Sequence, residues 1–262
     1  MNTKARPLAL ITGASGGIGE QLAYRFAEGG YDLALVARSA DKLATVAQNA
    51  ELRGAQCTIL VQDLTAPGAA AALEASGLEV DVLVNNAGYG LTGGFLETDR
   101  DDQLAMIDLD VRVLTELCHR FGAGMKARGR GGILNVASTA AFQPGPWMGV
   151  YYAAKAYVLS FSEALNRELR GTGVHCTTLC PGPVLSGFQE RANFDESIRL
   201  TKTMRTMGAD EVSRAAYDAF IAKKPVVIPG SMNFLMAKSV GFTPRPVLLA
   251  MVELLQRKGQ PK

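Results

Sequence analysis

The sequence has few of the residues that build metal sites and disulfide frameworks. Its 262 residues include four cysteines, none of them in a C-x-x-C pair, and only two histidines. Structural zinc sites need clustered Cys and His ligands, so this scarcity predicts that the protein holds no metal. Four scattered cysteines in a chain of this length are typical of reduced core residues, and we therefore expect a cytoplasmic protein.

The sequence also lacks a strong net charge and long apolar runs. A net charge of +2 gives no electrostatic reason to expect nucleic acid or an anionic membrane as a partner. No segment reaches the ~18 apolar residues of a membrane span, and the N-terminal segment is too short and too interrupted by glycine for a signal peptide. The short apolar stretch at 246–255 favours a docked C-terminal helix or a subunit contact. No Gly/Pro/Ser-rich linker divides the chain, so we expect one domain over residues 1–262.

Short apolar runs alternate along the chain with longer amphipathic stretches. This alternation predicts an α/β fold with a three-layer, doubly wound parallel sheet of the Rossmann type, because strands that are apolar throughout are covered on both faces. The predicted strands lie at 8–12, 32–37, 57–61, 80–85, 132–137, 174–180 and 225–228. The predicted helices lie at 17–28, 40–52, 67–77, 101–128 and 150–170.

One segment breaks this rhythm. Residues 182–208 lack a clean period and mix aromatic, methionine and basic side chains. Long irregular segments in compact domains are usually functional or mobile, and this one follows a strand end where open α/β sheets bind ligands. We therefore expect a substrate loop at about 183–208.

A glycine-rich turn follows the first predicted strand. In the run from Thr12 to Gly19, Gly13 allows a tight turn, while Gly17 and Gly19 allow close approach of the backbone. The helix that begins there presents unpaired N–H groups and a partial positive charge, which suit the pyrophosphate of a dinucleotide. A strand before the turn and a helix after it are the context that such a site requires.

The residues after the second predicted strand bear on the choice of dinucleotide. An NAD site places a carboxylate near this point for the ribose 2′-hydroxyl, but positions 37 and 38 hold no acid and the nearest is Asp41. Arg38 offers a planar fork suited to a 2′-phosphate. We therefore expect NADP(H) to be preferred over NAD(H).

A second constellation predicts proton transfer. Tyr151 and Lys155 are four residues apart, so they share one face of a helix, and Ser138 lies thirteen residues before the tyrosine. An unperturbed tyrosine has a pKa of about 10. A nearby ammonium group favours the phenolate and would lower that pKa.

Together these residues resemble the short-chain dehydrogenase/reductase family from about Leu8 to Ser186. The shared motifs are the glycine turn at 12–19, Asp63-Leu64, Asn85-Asn86-Ala87-Gly88, Ser138, Tyr151-x-x-x-Lys155 and Pro181-Gly182. The resemblance implies that Ser138 binds the substrate oxygen, that Tyr151 exchanges a proton with it, and that Lys155 holds the nicotinamide ribose.

The resemblance also implies a set of cofactor contacts. Tyr151 and Lys155 would be among them, Asp63 and Leu64 would hold the adenine ring, and Asn85 would buttress the sheet. The remaining expected contacts are Gly13, Ser15, Gly16, Gly17, Ile18, Gly19, Arg38, Ser39, Asn86, Ala87, Gly88, Pro181, Gly182, Val184 and Ser186.

The chain departs from the family pattern at two positions. Asp110 stands where an asparagine is usual, whose main-chain carbonyl holds a water in a proton relay to the lysine. The carbonyl survives this change, so we expect Asp110 to keep the structural part of that catalytic role, although a buried carboxylate must find donors or take up a proton. Ser186 stands where a threonine is common and retains the hydroxyl.

The sequence therefore predicts an NADP(H)-dependent oxidoreductase that interconverts a small-molecule carbonyl and an alcohol. A non-catalytic nucleotide-binding regulator on the same fold is the alternative. A serine hydrolase is disfavoured because neither of the two histidines has an evident serine partner. The resemblance further implies a homodimer or homotetramer formed through the helices at 101–128 and 150–170.

The substrate stays open at this stage. An apolar pocket wall and plain core packing explain a set of large side chains equally well: Phe142, Trp147, Met148, Phe188 and Phe194. Arg191 or Arg199 could meet a substrate carboxylate, although a solvated charge is the more common role of a loop arginine.

Overall fold

The protein was analysed as a computed structural model, which describes residues 6–185 and 206–256. The expected cofactor contact Ser186 and most of the expected substrate loop lie outside the described residues. The same holds for Phe188, Arg191, Phe194 and Arg199.

Strands and helices alternate as the apolar runs predicted. The first half contains β1 (Leu8–Thr12), α1 (Gly17–Glu28), β2 (Asp32–Ala37), α2 (Ala40–Glu51), β3 (Cys57–Val61), α3 (Ala69–Ala75), β4 (Val82–Asn85) and α4 (Arg100–Ile107). Next come α5 (Leu114–Arg128), β5 (Gly131–Val136), α6 (Gly149–Glu168), β6 (Val174–Leu179) and the short strands β7 (Val184–Leu185) and β8 (Met207–Gly208). The chain continues with α7 (Ala209–Ile221), β9 (Val226–Val227), α8 (Ser231–Ser239) and α9 (Arg245–Gln256).

Seven strands form one parallel sheet in the order β3-β2-β1-β4-β5-β6-β9. Successive strands step outward on one side of β1 and then on the other, so the direction of winding reverses between β1 and β4. Open α/β sheets bind ligands at such a reversal, beyond the carboxyl ends of the strands. The predicted doubly wound α/β fold is confirmed.

Two apolar layers cover the two faces of this sheet. On one face Phe26 of α1 is fully buried, and its ring makes edge contacts with Tyr31, Tyr217 and Phe220 at centroid distances of 5.1–5.5 Å. On the other face Leu117 and Met125 of α5 are buried against the central strands. The central strands are therefore covered on both sides, as their continuous apolar character predicted.

The edge strand β3 departs from that expectation. Ile59 is 39% exposed and Val61 is 55% exposed. A strand at the end of the sheet order has a neighbour on one side only, and apolar composition alone does not distinguish it from a central strand.

The long helix expected at 101–128 is interrupted. Residues Asp108–Val113 form a π-helical segment between α4 and α5. Short π-helical segments within helices often mark functional sites, and this one contains Asp110. The helix α7 was missed by the sequence analysis, although Val212, Ala216 and Phe220 bury one side of it against α1 and the sheet.

Three further findings concern membrane-spanning helices, metal sites and the cysteines. No helix within residues 6–185 and 206–256 is long and apolar enough to cross a membrane. In the same ranges, no group of three or more His, Cys, Asp and Glu side chains is placed to hold a metal ion. The four cysteines are free thiols, and three of them are buried.

Candidate active site

A cleft of about 1160 Å³ lies beyond the carboxyl ends of the central strands. It gathers most of the residues that the sequence singled out, although they come from six separate strand ends and from α6. The expected site residues that line it are Gly13, Ser15, Gly16, Gly17, Ile18, Arg38, Ser39, Asp63, Leu64, Asn86, Ala87, Gly88, Ser138, Tyr151, Lys155, Pro181, Gly182 and Val184. Gly19 and Asp110 are not part of the lining surface.

The glycine turn forms one end of the cleft. Gly13 and Gly17 have φ angles of 65° and 59°, in the left-handed region that favours glycine. A Cβ atom at Gly19 would collide with the carbonyl oxygen of Gly13 and with the side-chain amide of Asn86. The turn can therefore close on β4 only because Gly19 has no side chain.

Hydrogen bonds between β1 and the end of β4 hold this turn in place. Asn86 donates its side-chain amide to the carbonyl oxygens of Thr12 at 3.0 Å and Gly13 at 3.1 Å. Thr12 Oγ1 accepts the N–H groups of Asn86 and Ala87, each at 3.0 Å, and donates to the Val84 carbonyl oxygen at 3.2 Å. Thr12 is therefore a structural member of the site whose contacts the motif did not reveal.

The loops after β2 and β3 form the far end of the cleft. Asp63 accepts hydrogen bonds from the Thr65 hydroxyl at 2.7 Å and the Thr65 N–H at 2.9 Å, and these bonds lower the pKa of Asp63. Arg38 Nη1 lies 4.0 Å from Asp63 Oδ2, and the Arg38 side chain is 62% exposed. Lys42, one turn into α2, also lines this end and was not singled out from the sequence.

The three catalytic candidates lie at the other end. Lys155 Nζ is 5.7 Å from the centroid of the Tyr151 ring and donates to the Val136 carbonyl oxygen at 3.3 Å. Ser138, directly after β5, accepts the N–H of Ala140 at 3.1 Å and also hydrogen-bonds with Tyr151. Tyr151 and Lys155 are both buried on the side of α6 that faces the sheet and the cleft.

Asp110 forms a buried ion pair with Lys155. Lys155 Nζ lies 3.1 Å from Asp110 Oδ2, and the Asp110 side chain is fully buried. Neither carboxylate oxygen has a hydrogen bond of good angular geometry, so the ion pair is its main compensation for burial. Burial raises the pKa of Asp110, and the charge of Lys155 opposes that rise.

Gly88 leaves the space that this pair occupies. A Cβ atom at Gly88 would lie 2.5 Å from Asp110 Oδ1 and 3.2 Å from Lys155 Nζ. The position therefore requires glycine because a side chain there would displace the ion pair, a reason that the motif alone does not show.

The fold and the cleft can be compared with known proteins. A family profile described as "short chain dehydrogenase" matches residues 7–197. The chain belongs to the short-chain dehydrogenase family. A solved short-chain dehydrogenase from Sphingobium yanoikuyae, in complex with NADPH, is 32% identical, with 98% of each chain covered and a TM-score of 0.82.

Two curated relatives show how far the similarity extends. The Mycobacterium tuberculosis protein named "Probable oxidoreductase EphD" is 31% identical over 240 residues, which cover 84% of this chain but only 40% of that protein. The "Sulfoacetaldehyde reductase" of Chromohalobacter salexigens is 38% identical over 179 residues, or 66% of this chain and 70% of the relative. The chain thus spans about 40% of the length of the first relative and about 70% of the length of the second.

The cleft of this short-chain dehydrogenase fits a dinucleotide. Helix α1 begins at Gly17, and within the described residues no side chain caps its first N–H groups. A Cβ atom at Gly16 would meet no other atom within 4 Å, so the backbone of the turn borders open space. Free N–H groups at a helix N-terminus with room in front of them suit a pyrophosphate.

The pKa of Tyr151 shifts in the direction opposite to the one expected from the sequence. Burial raises its pKa, the charge of Asp110 raises it further, and the hydrogen bond with Ser138 opposes both effects. We expected Lys155 to lower this pKa. That expectation is wrong in direction, because removal from water dominates and Lys155 already has a carboxylate partner.

The C-terminal helices contribute residues that the motifs did not reveal. Leu248 and Val252 of α9 line the cleft, one turn apart, and the next turn places Gln256 where it donates to the Tyr152 hydroxyl at 2.6 Å. From α8, Asn233 packs against Gly182 and donates to the Pro229 carbonyl oxygen at 2.8 Å. The four-residue spacing of Leu248, Val252 and Gln256 could have indicated one buried face of a helix, but it does not show which surface that face covers.

The described large side chains for which pocket wall and plain core were both open divide between the two. Met148 lines the cleft, whereas Phe142 packs against the core of the α5–α6 face and Trp147 is 36% exposed. Phe142 and Trp147 follow the same strand end as Ser138, but neither is part of the lining surface.

We predict that Asp110→Ala lowers the free energy of unfolding by about 3–5 kcal/mol, because it leaves the Lys155 ammonium buried without a partner. Urea denaturation followed by fluorescence measures this change. Asp108→Ala is the matched control, since Asp108 forms a partly exposed pair with Arg112 at 2.6 Å and should lose no more than about 1 kcal/mol. Equal losses in the two variants would contradict the importance of the buried pair.

Proposed function

We propose that the chain is an NADP(H)-dependent oxidoreductase that interconverts a carbonyl and an alcohol, with Tyr151 as the general acid and base. The observation that carries this proposal is the placement of Ser138, Tyr151 and Lys155 on the wall of the same cleft as the glycine turn. A dinucleotide bound across the central strand ends would bring its reactive ring to these side chains.

The nicotinamide supplies the hydride when the cofactor is bound. The protein supplies the proton and the field at the substrate oxygen. Ser138 and Tyr151 hydroxyls donate hydrogen bonds to the carbonyl oxygen, which gains negative charge as its carbon is reduced. Tyr151 then transfers its proton to that oxygen, giving the alcohol, and the reverse transfer accompanies oxidation.

The remaining expected contacts are assigned to the cofactor. Gly13 to Gly19, including Ser15 and Ile18, hold the pyrophosphate, and Asp63 and Leu64 hold the adenine ring. Pro181, Gly182 and Val184 flank the nicotinamide, while Asn86, Ala87 and Gly88 line the middle. Lys155 holds the nicotinamide ribose, and its pairing with Asp110 fixes its position for that contact.

Arg38 and Lys42 support NADP(H) as the preferred cofactor. Both are basic and both line the far end of the cleft, where the 2′-position of an adenosine ribose would lie. Asp63 partly neutralises Arg38 but is 4.0 Å away, so the guanidinium keeps donors free for a phosphate. The NADPH complex of the Sphingobium yanoikuyae protein is consistent with this choice.

The raised pKa of Tyr151 determines which protonation state of this side chain is present near neutral pH. At neutral pH a buried tyrosine of this kind is protonated and ready to donate. Carbonyl reduction needs that form, whereas alcohol oxidation needs the phenolate. Near pH 7 the site therefore holds the form of Tyr151 that reduction requires, while the direction of net turnover follows the ratio of reduced to oxidised cofactor.

A homodimer or homotetramer and a cytoplasmic location stay predictions. The outer surface of α6 supports a subunit contact, because Tyr157 is 38% exposed, stacks on Phe161 at 5.7 Å and hydrogen-bonds to Thr115 of α5 at 2.8 Å. This preformed, partly apolar surface joins the same two helices that the family resemblance implicated.

We predict that Tyr151→Phe lowers kcat for carbonyl reduction by about 10²–10⁴-fold, the usual contribution of general acid catalysis. NADPH binding, followed by cofactor fluorescence, should persist. Tyr157→Phe on the same helix is the control and should retain full activity. Undiminished turnover by Tyr151→Phe would contradict the mechanism, and inactivity of the wild type on a broad carbonyl panel would favour the regulator.

We predict that Arg38→Ala weakens NADPH binding by about 10–100-fold and leaves NADH binding nearly unchanged, because a charge-assisted hydrogen bond contributes ~1.5–3 kcal/mol. Titration of each cofactor by calorimetry measures the two affinities. Arg100→Ala, at a highly exposed arginine outside the cleft, is the control. A parallel loss of NADH affinity would assign Arg38 to adenine stacking instead.

We predict that Asp110→Asn shifts the rising limb of alcohol oxidation, measured as kcat/KM against pH, to lower pH by about one unit. Oxidation needs the phenolate, and the Asp110 charge raises the pKa of Tyr151. Removing that charge, and with it the partner of Lys155, lowers the Tyr151 pKa. A shift to higher pH would show that the carboxylate itself takes the proton.

A further inference from the structure

The catalytic tyrosine sits in an apolar cluster built largely by remote parts of the chain. Tyr151 packs with Met148 at the start of α6 and with Leu248 and Val252 of α9. All four side chains line the cleft. The part of the cleft around Tyr151 is therefore bordered by apolar side chains.

The cations of the cleft lie elsewhere. Among the described lining residues, the basic ones are Arg38, Lys42 and Lys155. Lys155 is paired with Asp110. Arg38 follows β2, three strands away from β5 and Ser138, a separation of roughly 14 Å at about 4.8 Å per strand.

An acid is present on the described lining surface instead. Asp102 of α4 lines the cleft, and its carbonyl oxygen accepts the Tyr89 hydroxyl at 3.0 Å. A carboxylate or sulfonate on the substrate that left water against the apolar wall would find no free basic partner there among the described lining residues, which is strongly unfavourable.

We propose that the substrate is a neutral carbonyl compound with a bulky apolar body that packs against α6 and the C-terminal helices. This inference rests on the proposed function. It differs from the anionic aldehyde in the name of the Chromohalobacter salexigens relative, because the described substrate wall offers no basic partner for an anion.

Two further features suit such a substrate. Met236 and Met251 also line the cleft, and the unbranched, polarizable methionine side chain adapts to ring systems of different shape. The bond from Gln256 to the buried Tyr152 hydroxyl at 2.6 Å ties α9 to the catalytic helix. The hydrogen bond of Gln256 thus holds α9 against the catalytic helix, while the two methionine side chains can adapt to the shape of the substrate.

Matched carbonyl compounds test the proposal. With NADPH, we expect kcat/KM to rise from acetone through acetophenone to 2-acetonaphthone, by about three- to fourfold for each methylene-sized group that becomes buried. We expect 4-acetylbenzoate and sulfoacetaldehyde to fall at least about 100-fold below acetophenone, since their charge would be buried without a partner. Equal or better turnover of either anion would overturn the proposal and point to Arg191 or Arg199, outside the described residues, as its partner.

Neighbouring leucines on α9 give a matched pair of variants. Leu248 is 7% exposed and lines the cleft, whereas Leu249 is 39% exposed and does not. Leu248→Ala should raise KM for 2-acetonaphthone about tenfold or more, and by a larger factor than KM for acetone. Leu249→Ala should leave both unchanged, and equal effects of the two variants would contradict the assigned wall.

A gain of charge gives the converse test. Met251 lines the cleft and is 55% exposed, so a lysine there can keep its ammonium hydrated at the mouth. Met251→Lys should raise kcat/KM for 4-acetylbenzoate relative to acetophenone by about tenfold. An unchanged ratio would show that the substrate does not bind against α9.

Binding measurements separate this inference from the proposed function. In the Tyr151→Phe variant with NADPH, calorimetry should detect 2-acetonaphthone and not 4-acetylbenzoate. If 2-acetonaphthone binds but the wild type reduces no carbonyl compound, the proposed oxidoreductase activity is wrong and the apolar substrate site is still supported. Reduction of small anionic carbonyl compounds alone would support the oxidoreductase activity and contradict the apolar substrate site. Failure to bind any apolar ketone would also overturn the inference.

Discussion

The buried pair of Asp110 and Lys155 is the interaction on which the catalytic end depends. Its 3.1 Å contact joins the π-helical segment to α6, and Lys155 also reaches the Val136 carbonyl oxygen at the end of β5. Gly88, after β4, leaves the volume that the pair fills. The interrupted helix, α6 and the end of β5 are thereby joined at a buried point on the edge of the cleft.

The same pair sets the electrostatics of the site. A lone buried ammonium near a phenol would favour the phenolate, but a carboxylate beside that ammonium cancels most of its field. Burial then dominates, and the pKa of Tyr151 moves upward. Asparagine at position 110 would leave the charge of Lys155 uncompensated. Asp110 thus helps to keep the Tyr151 phenol protonated and makes it a weaker acid.

Sequence patterns predicted the features that depend on residues close together in the chain. The glycine turn, the central strands and the four-residue spacing of Tyr151 and Lys155 follow from local geometry, and the structure reproduces them. Contacts between distant segments were not predictable. Asp110 meets Lys155 across 45 residues of chain, and Gln256 meets Tyr152 across 104. The exposure of β3 likewise depends on its place in the sheet order, which apolar composition does not encode.

The two halves of the cleft are therefore built differently. Successive βα units supply the dinucleotide half, whereas the substrate half depends on α9 packing against α6 from the far end of the chain. Tyr151 is only 9% exposed, and Leu248 and Val252 supply part of that cover. Because exclusion of water both raises the pKa of Tyr151 and strengthens the field acting on a substrate oxygen, the C-terminal helix does more than shape the pocket. The apolar contact that we propose as the substrate wall also helps to keep the Tyr151 phenol protonated.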